Sequence, residues 1–404
     1  MRTLYICYLG LDEPLVQSQV LPYLRQLVTA GVDVNLLTFE KELWQRPPGE
    51  LAERQQKLAS QAITWSHLRY HKRPSLPATL YDIVAGAIRT IQLMRNHDID
   101  VLHARAHIPI AMALIAQKVR RCAVIFDLRG LIAEEYADAG IWKENSVPFK
   151  AIKWLERNGL RRASQIVVLT SRARNWLVEM DPGLKDKISV IPTCVDLSRF
   201  PTDINHRDDR FEVVYAGSVY GLYLLEEMAR FFVELKRLQP KAVFRILTLA
   251  PRTTVARILE RVGLSESDFE VAAVDPVDVP RNLQRARLGI SFRKPTFSQI
   301  AASPTKIAEY LAAGIPVVSN TGTGDIDELF RQQRVGITVD SFDRASLQEA
   351  AAQALDLVAE DEIKVRCRQT AQRYFDLAEI GGKRYQEVYE RINRAARASS
   401  KSTL

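Results

Sequence analysis

The stretch Ser303-Pro304-Thr305-Lys306-Ile307-Ala308-Glu309-Tyr310-Leu311-Ala312-Ala313-Gly314-Ile315-Pro316-Val317-Val318 reads as a compact helix that delivers the chain into a buried strand. Ser303 suits an N-cap, Pro304 the first helical position and Gly314 the C-terminal stop, which predicts a helix over Thr305 to Ala313 and a strand over Pro316 to Ser319. The start of such a helix presents free amides and a positive dipole end. That arrangement suits a phosphate, and Lys306 in the first turn adds a mobile cation. Glu309 lies about one turn further on, where its carboxylate can accept two hydrogen bonds from ribose hydroxyls. A purely structural reading leaves a well-capped helix with a surface Lys306–Glu309 pair worth a few tenths of a kcal/mol.

The surroundings repeat the same strand-and-helix grammar. Upstream lie the strand Phe211 to Ala216, a glycine turn, the helix Leu222 to Leu238, and the strands Val243 to Leu249 and Leu288 to Ser291; downstream is Val335 to Val339. An earlier series runs through Thr3 to Tyr8, the helix from Val20 to Val28 stopped by Gly31, Val32 to Phe39, Ile99 to Leu102, the helix Ile110 to Val119, Ala123 to Phe126, the helix Phe149 to Leu160, Ile166 to Leu169 and Ile188 to Ile191. Such alternation predicts parallel sheets covered by helices. The polar stretch Asp196 to Arg210, with Pro192 and Pro201 nearby and the charged cluster His206 to Arg210, reads as an interdomain linker. About Ser346 to Ala396 the chain is helical throughout. In open α/β sheets ligands sit at the carboxyl ends of strands, so the chemistry belongs on strand-to-helix loops.

Composition narrows the classes. With 404 residues the chain accommodates two or three domains, and 47% apolar content supplies a sizeable core. The balance of 56 Lys+Arg against 48 Asp+Glu gives +8, which favours anionic partners without choosing among them. Apolar runs stop well short of a membrane span, and Asp12 and Glu13 interrupt any signal-like core, so a cytoplasmic protein is expected. Cys7, Cys122, Cys194 and Cys367 are widely spaced, which argues against a zinc or redox motif.

On the residues from Ser303 to Val318 the sequence resembles the retaining glycosyltransferases of family 4. In that family a Glu two residues before a Leu-Ala-x-Gly-x-Pro-Val-Val stretch binds the donor ribose, and Glu309 occupies this place. Ile191-Pro192-Thr193-Cys194-Val195-Asp196 followed by Phe200 is similar to the family's interdomain Ile-Pro-Asn-Gly-Val-Asp-x-x-x-Phe signature. The opening (Pro14-Leu15, Gln17 to Tyr23, Leu37-Thr38-Phe39) and Phe126-Asp127-Leu128-Arg129-Gly130 resemble its polysaccharide-assembly branch. These segments extend from residue 3 to residue 325. The resemblance implies the GT-B fold: two Rossmann-like domains whose parallel sheets face a deep cleft, with C-terminal helices packing back. The domains expected are 1–195 for the acceptor, a linker 196–210, 211–375 for the nucleotide sugar, and a C-terminal helix and tail 376–404 that can cross back.

The implied reaction moves a sugar, hexosyl in class, from a nucleotide-diphosphate sugar to a hydroxyl of a glycan or lipid-linked saccharide, with retention and without metal or cofactor. The donor residues expected are Gly217, Ser218, Arg293, Lys294, Ser298, Ser303, Pro304, Thr305, Lys306, Glu309 and Gly324. The residues expected in chemistry are Asp127, Arg129, Lys306 and Glu309, and those near the acceptor or reacting sugar are Ser18, Gln19, His103, Arg105, Asp127, Arg129 and Gly130. Two departures stand out. Many relatives carry a second Glu eight residues before the ribose Glu, and here that position is Ala301; many hold the diphosphate with cations after the first strand of the second domain, and here Ala216 to Gly221 has none. That turn can still offer amides, and Arg293, Lys294 and Lys306 are the replacement cations.

Other readings come from single features. Asp325 with Glu328 resembles a capping box. Asp127 and Arg129 after a strand can form a loop-closing pair, or Arg129 can meet a phosphate or Glu134. His103, Arg105 and His107 can line the cleft, with no persuasive metal spacing. Two basic apolar stretches, Phe149 to Arg162 and Tyr70 to Pro77, can touch an anionic membrane, although the first is also a plausible crossover helix. The rival functions are a sugar-nucleotide epimerase, a non-catalytic nucleotide-sugar-binding or scaffold protein suggested by Ala301, and, more weakly, a dinucleotide oxidoreductase. Nucleic-acid binding would explain the charge but none of the motifs.

Overall fold

The computed structural model describes residues 1–41, 47, 49–201 and 210–401. They form two compact units, Met1–Pro192 with Leu377–Leu404, and Thr193–Asp376. The first unit holds strands β1 (Arg2–Cys7), β2 (Asp33–Glu40), β3 (Ile63–Arg69), β4 (Val101–Arg105), β5 (Ala123–Leu128), β6 (Gln165–Val168) and β7 (Ile188–Val190). The second holds β8 (Phe211–Ala216), β9 (Ala242–Leu247), β10 (Phe269–Ala272), β11 (Leu288–Ser291), β12 (Val317–Asn320) and β13 (Gly336–Val339).

Both sheets are parallel and wound outward from their first strand, in the orders β3-β2-β1-β4-β5-β6-β7 and β10-β9-β8-β11-β12-β13. The reversal of strand order beside β1 and beside β8 creates the switch points at which such sheets take ligands. Central strands are covered on both faces, hence near-continuous apolar runs such as Val213, Val214 and Tyr215, all fully buried. Two polar residues on the first sheet's flank are internally satisfied. Asn35 Nδ2 donates to the Thr3 carbonyl at 3.4 Å, and Glu40 Oε1 accepts from the Thr38 hydroxyl at 2.6 Å and from Leu11 N–H at 2.8 Å.

The second unit opens at Thr193, ahead of the expected linker. Val195 N–H donates to the Phe375 carbonyl at 2.8 Å and Val195 pairs in parallel with Asp376, while Leu197–Arg199 is a 3-10 turn whose Asp196 carboxylate caps Ser198 N–H. Residues 202–209, including most of the charged cluster that ends at Arg210, lie outside the described residues. The region expected to be helical throughout is three helices, Arg344–Ala359, Ile363–Phe375 and Lys383–Lys401, with a π-helical segment Leu377–Gly382 before the last. That last helix belongs to the first unit. Its Tyr385, Val388, Tyr389 and Ile392 form a buried stripe at helical spacing, Tyr385 reaching Asp127 on β5 and Tyr389 reaching His103 on β4 and Thr3 on β1.

Three local expectations are corrected. Strand β4 runs on to Arg105 and β5 to Leu128, so His103, Arg105 and Asp127 lie inside strands rather than in the loops after them. Helix Thr305–Ala312 takes Pro304, not Ser303, as its N-cap, because the Ser303 hydroxyl accepts instead from Thr193 N–H at 3.0 Å. The Asp325–Glu328 capping box does not form: Asp325 makes no side-chain cap bond, Glu328 pairs with Arg331 at 2.6 Å, and Asp327 takes Gly322 N–H at 2.9 Å.

Candidate functional site

In the second unit the expected donor residues converge at the carboxyl ends of β8 and β11. Lys306 enters from the first turn of its helix and is buried rather than on the surface. Its Nζ donates to the Tyr215 hydroxyl at 3.1 Å and lies over two rings, 3.7 Å from the Tyr223 centroid and 4.3 Å from that of Tyr215. Gly217, at φ +136°, makes room for it, since a Cβ there would stand 2.9 Å from the Lys306 Nζ. Tyr215 in turn donates to the Ser218 carbonyl, and Tyr310 accepts Ala216 N–H at 2.8 Å, so the turn after β8 is clamped from below.

Arg293, just beyond β11, is held by three contacts. Its N–H reaches Asn320 Oδ1 at 2.7 Å, its Nε reaches Gln299 Oε1, and its guanidinium lies 4.7 Å over the Tyr223 ring. Gln299 also donates to buried Ser298 Oγ at 3.0 Å, while its carbonyl accepts Gly324 N–H at 2.8 Å. Ser298, Gln299, Arg293 and Gly324 are therefore one hydrogen-bonded wall. Lys294 N–H is tied to the Leu222 carbonyl at 2.8 Å. The expected phosphate nest narrows: Ala216, Gly217 and Tyr220 amides are already bonded, to Tyr310, Leu247 and Ser218 respectively, which leaves those of Ser218, Val219 and Gly221 among the described residues.

The electrostatics of this site are those of an uncompensated cation. Burial pushes the Lys306 amine well below its ordinary range, nearby Arg293 adds to the effect, and Glu309 opposes it. Among the described residues no carboxylate comes within 4 Å of its Nζ, so Lys306 and Glu309 do not form the surface pair of the structural reading. Glu309 is half-buried, and its carboxylate makes no hydrogen bond or ion pair among the described residues. Burial raises its carboxyl to about 7, with Arg199 and Lys306 pulling the other way. A buried ammonium between aromatic faces and a preorganised guanidinium can stabilise a phosphate; a carboxylate one turn away can bind paired hydroxyls. Ala301 is buried at the end of the 3-10 segment Phe297–Ala301.

The first unit carries a second cluster, at the carboxyl halves of β4 and β5 and reaching Thr3 on β1. Asp127 is 1% exposed. Its Oδ2 accepts from Tyr385 at 3.1 Å and lies 3.8 Å from His103 Nε2, while Oδ1 lies 3.6 Å from Arg129. His103 Nδ1 meets the Tyr389 hydroxyl at 3.0 Å, and that hydroxyl meets Thr3 Oγ1 at 2.9 Å. Burial alone would raise the Asp127 carboxyl; Arg129, His103 and Arg105 outweigh it and hold it at about 2. Burial lowers the His103 imidazole, with Asp127 opposing. Asp127 is thus sealed between Arg129, His103 and the last helix.

Gln19 Oε1 accepts from Arg105 and from Arg129, each at 3.0 Å. Ser18 donates to the Pro14 carbonyl at 2.7 Å, and the Glu135 carboxylate lies over Gly130, where a Cβ would stand 2.2 Å from its Oε1 and displace it. Two expectations fail here. His107 is buried against Glu156 at 3.0 Å and lines nothing, and Glu134 pairs with Lys153 at 2.7 Å instead of Arg129. Tyr215, Tyr223, Gln299, Tyr385 and Tyr389 were not foreseen. The only sequence signal for the last two is their four-residue spacing on a helix.

Residues 16–199 match the model of the family described as Glycosyltransferase Family 4. None of the curated proteins matches this chain in sequence. Among solved structures, sucrose-phosphate synthase from Thermosynechococcus elongatus is similar with a TM-score of 0.74 at 14% identity, covering 98% of this chain and 100% of that one. A glycosyltransferase from Rickettsia africae gives 0.69 at 14%, covering 97% and 98%. HepE of Anabaena, in complex with UDP and glucose, gives 0.65 at 16%, covering 99% of each. The chain has the GT-B fold, two Rossmann-like parallel-sheet units, and over residues 16–199 it matches Glycosyltransferase Family 4.

Proposed function

We propose that the protein is a glycosyltransferase that moves a sugar from a nucleotide-diphosphate sugar to a hydroxyl acceptor with retention of configuration. The observation that carries this reading is the Lys306 ammonium between Tyr215 and Tyr223, beside Arg293 and one turn from Glu309. HepE, similar in fold, is seen with UDP and glucose and with UDP-glucose, which favours a nucleotide sugar here. In this reading Lys306, Arg293 and the Ser218 amide stabilise the departing diphosphate, a preorganised electrostatic contribution, and no divalent ion is called on. Glu309 takes the ribose hydroxyls. The Ser298–Gln299 wall replaces the carboxylate that Ala301 lacks.

The test is calorimetric titration with UDP, GDP, ADP and TDP. One of them should bind, and Glu309→Ala should weaken it by about tenfold or more, the worth of a charge-assisted pair of hydrogen bonds. Binding of none, or binding that Glu309→Ala leaves unchanged, rejects the site. Product anomers identified by NMR decide retention. Ala301 favours a second reading, a nucleotide-sugar binder without turnover; binding without sugar transfer across an acceptor screen would select it.

The acceptor in this reading is a glycan or lipid-linked saccharide of polysaccharide assembly, met at the cytoplasmic face of a membrane. Helix Ser75–Asn96 supports it. Leu76, Leu80, Val84 and Ile88 follow each other at four-residue intervals with Tyr81 beside them, all more than half exposed. Its one acidic residue, Asp82, is buried against Tyr8 and His71, and exposed Lys72 and Arg73 precede the helix. An apolar stripe with a basic end and no exposed acid suits an anionic lipid surface. No described helix is long and apolar enough to cross a membrane. On helix Val147–Arg162, Lys153, Leu155 and Leu160 face inward, and the exposed face keeps Val147, Lys150, Trp154 and Arg157.

A further inference from the structure

Arg105 and Arg129 lie side by side at the carboxyl ends of β4 and β5, where both point Nη2 at the same oxygen, Gln19 Oε1, at 3.0 Å. Two guanidinium groups that share one neutral acceptor repel each other, and in a poorly solvated place that repulsion is strong. Within ion-pair distance of the two there is a single carboxylate among the described residues, Asp127, and it serves Arg129 alone at 3.6 Å. The other buried acid of this sheet end, Glu40, is occupied by Thr38 and Leu11. Arg105 is 7% exposed, and its Nε is sealed from solvent without a partner. Its Nη1 also makes no hydrogen bond among the described residues but, unlike Nε, is not sealed. Gln19, which caps both groups, is half-buried and sits where helix Pro14–Gln19 ends, so its amide can yield to a stronger acceptor.

We propose that Arg105 and Arg129, with Gln19 as the group displaced, bind an anionic substituent, a carboxylate or a phosphate, of the acceptor saccharide. A planar anion accepts from two guanidinium forks at once and supplies the negative charge that Asp127 alone does not. The switch point beside β1 is where a sheet of this order takes a ligand. That the ligand is an acceptor rests on the glycosyltransferase reading; the anion binding does not. The acceptor class is then an acidic sugar or a sugar phosphate, not a neutral glycan.

Calorimetric titration of the full chain with glucuronate, glucose 6-phosphate and glucose tests this without donor or turnover. At least one of the two acids should bind and glucose should not; glucuronate alone identifies a carboxylate, glucose 6-phosphate alone a phosphate. Arg105→Gln, chosen because Arg105 has no ion pair within 4 Å among the described residues, should weaken binding about tenfold or more. Lys306→Met, in the other unit, should leave it unchanged. Gln19→Glu provides the variant that cannot fail for want of folding, because it places a carboxylate between two cations; it should raise thermal stability and abolish binding of the acid. The proposal is overturned if neither acid binds, if glucose binds equally, or if the acid still binds to Arg105→Gln or Gln19→Glu. Failure of the donor titrations with intact acid binding would instead overturn the glycosyltransferase reading.

Discussion

Asp127→Asn removes the one charge around which the first unit's buried cluster is arranged, and its cost follows from the carboxyl's displacement. The group is held at about 2 against an ordinary 3.8, and that gap corresponds to about 2 kcal/mol of stabilisation at neutral pH. Because the folded value is the lower one, the contribution is present in full above about pH 4 and is lost as the pH falls through about 2. The variant should therefore be less stable than the parent by about 2 kcal/mol at pH 7, and the two should converge as the pH approaches 2. The assay is urea unfolding followed by tryptophan fluorescence. All five tryptophans, Trp44, Trp65, Trp142, Trp154 and Trp176, precede Pro192, so the signal reports the first unit alone and avoids treating a two-unit chain as one transition. Nucleotide binding by the second unit should be untouched. An offset of the same size at pH 7 and pH 3 would refute the reasoning, because it would mean that Asp127 contributes shape and hydrogen bonding but not charge.

Three further outcomes are expected. Glu309 titrates near 7 and ribose hydroxyls need its ionised form, so nucleoside diphosphate affinity should rise between pH 6 and pH 8 and Glu309→Gln should flatten that rise; a parallel profile in the variant would assign the titration elsewhere. Gly217→Ala puts a methyl 2.9 Å from the Lys306 amine in a backbone conformation that disfavours side chains, so nucleotide binding should weaken about tenfold while the fluorescence melt of the first unit stays in place. Leu80→Glu with Val84→Glu should abolish sedimentation with phosphatidylglycerol vesicles and leave nucleotide binding intact, since each exposed aliphatic side chain is worth about 1.5 kcal/mol or more when buried in lipid; unchanged sedimentation would move the contact elsewhere.

The fold was legible where strands are buried on both faces. Phe211 to Ala216 and Leu288 to Ser291 coincide with β8 and β11, and the central strands of both sheets were found within a few residues. Two strands, β3 and β10, were not read at all. Each is an edge strand of its sheet, as are β7 and β13, which were read; what hides β3 and β10 is an apolar run broken by polar residues, as in Ile63-Thr-Trp-Ser-His-Leu-Arg69 and Phe269-Glu-Val-Ala272. The sequence cue that marks a parallel strand is a cue to burial, and these two are only partly buried.

The same physics separates what was readable in the two clusters. Lys306 and Glu309 were legible because a helix start after Pro304 confines both to one short element, and local geometry already points them at one ligand. What surrounds them was not legible. Tyr215 and Tyr223 precede Lys306 by 91 and 83 residues, and the cage they make depends on the β8–β11 pairing, which no local pattern encodes. In the first unit the distances are longer still: Tyr385 reaches Asp127 across 258 residues of chain. Asp127-Leu128-Arg129 therefore read as a loop whose carboxylate and guanidinium both meet the acceptor or reacting sugar, whereas the returning helix seals the carboxylate and leaves Arg129 and Arg105 as the groups that can answer a ligand. Burial of a charge is a property of what comes back to cover it, so the sequence can nominate a charged residue at a strand end but cannot say whether it faces a solute or holds the residue that does.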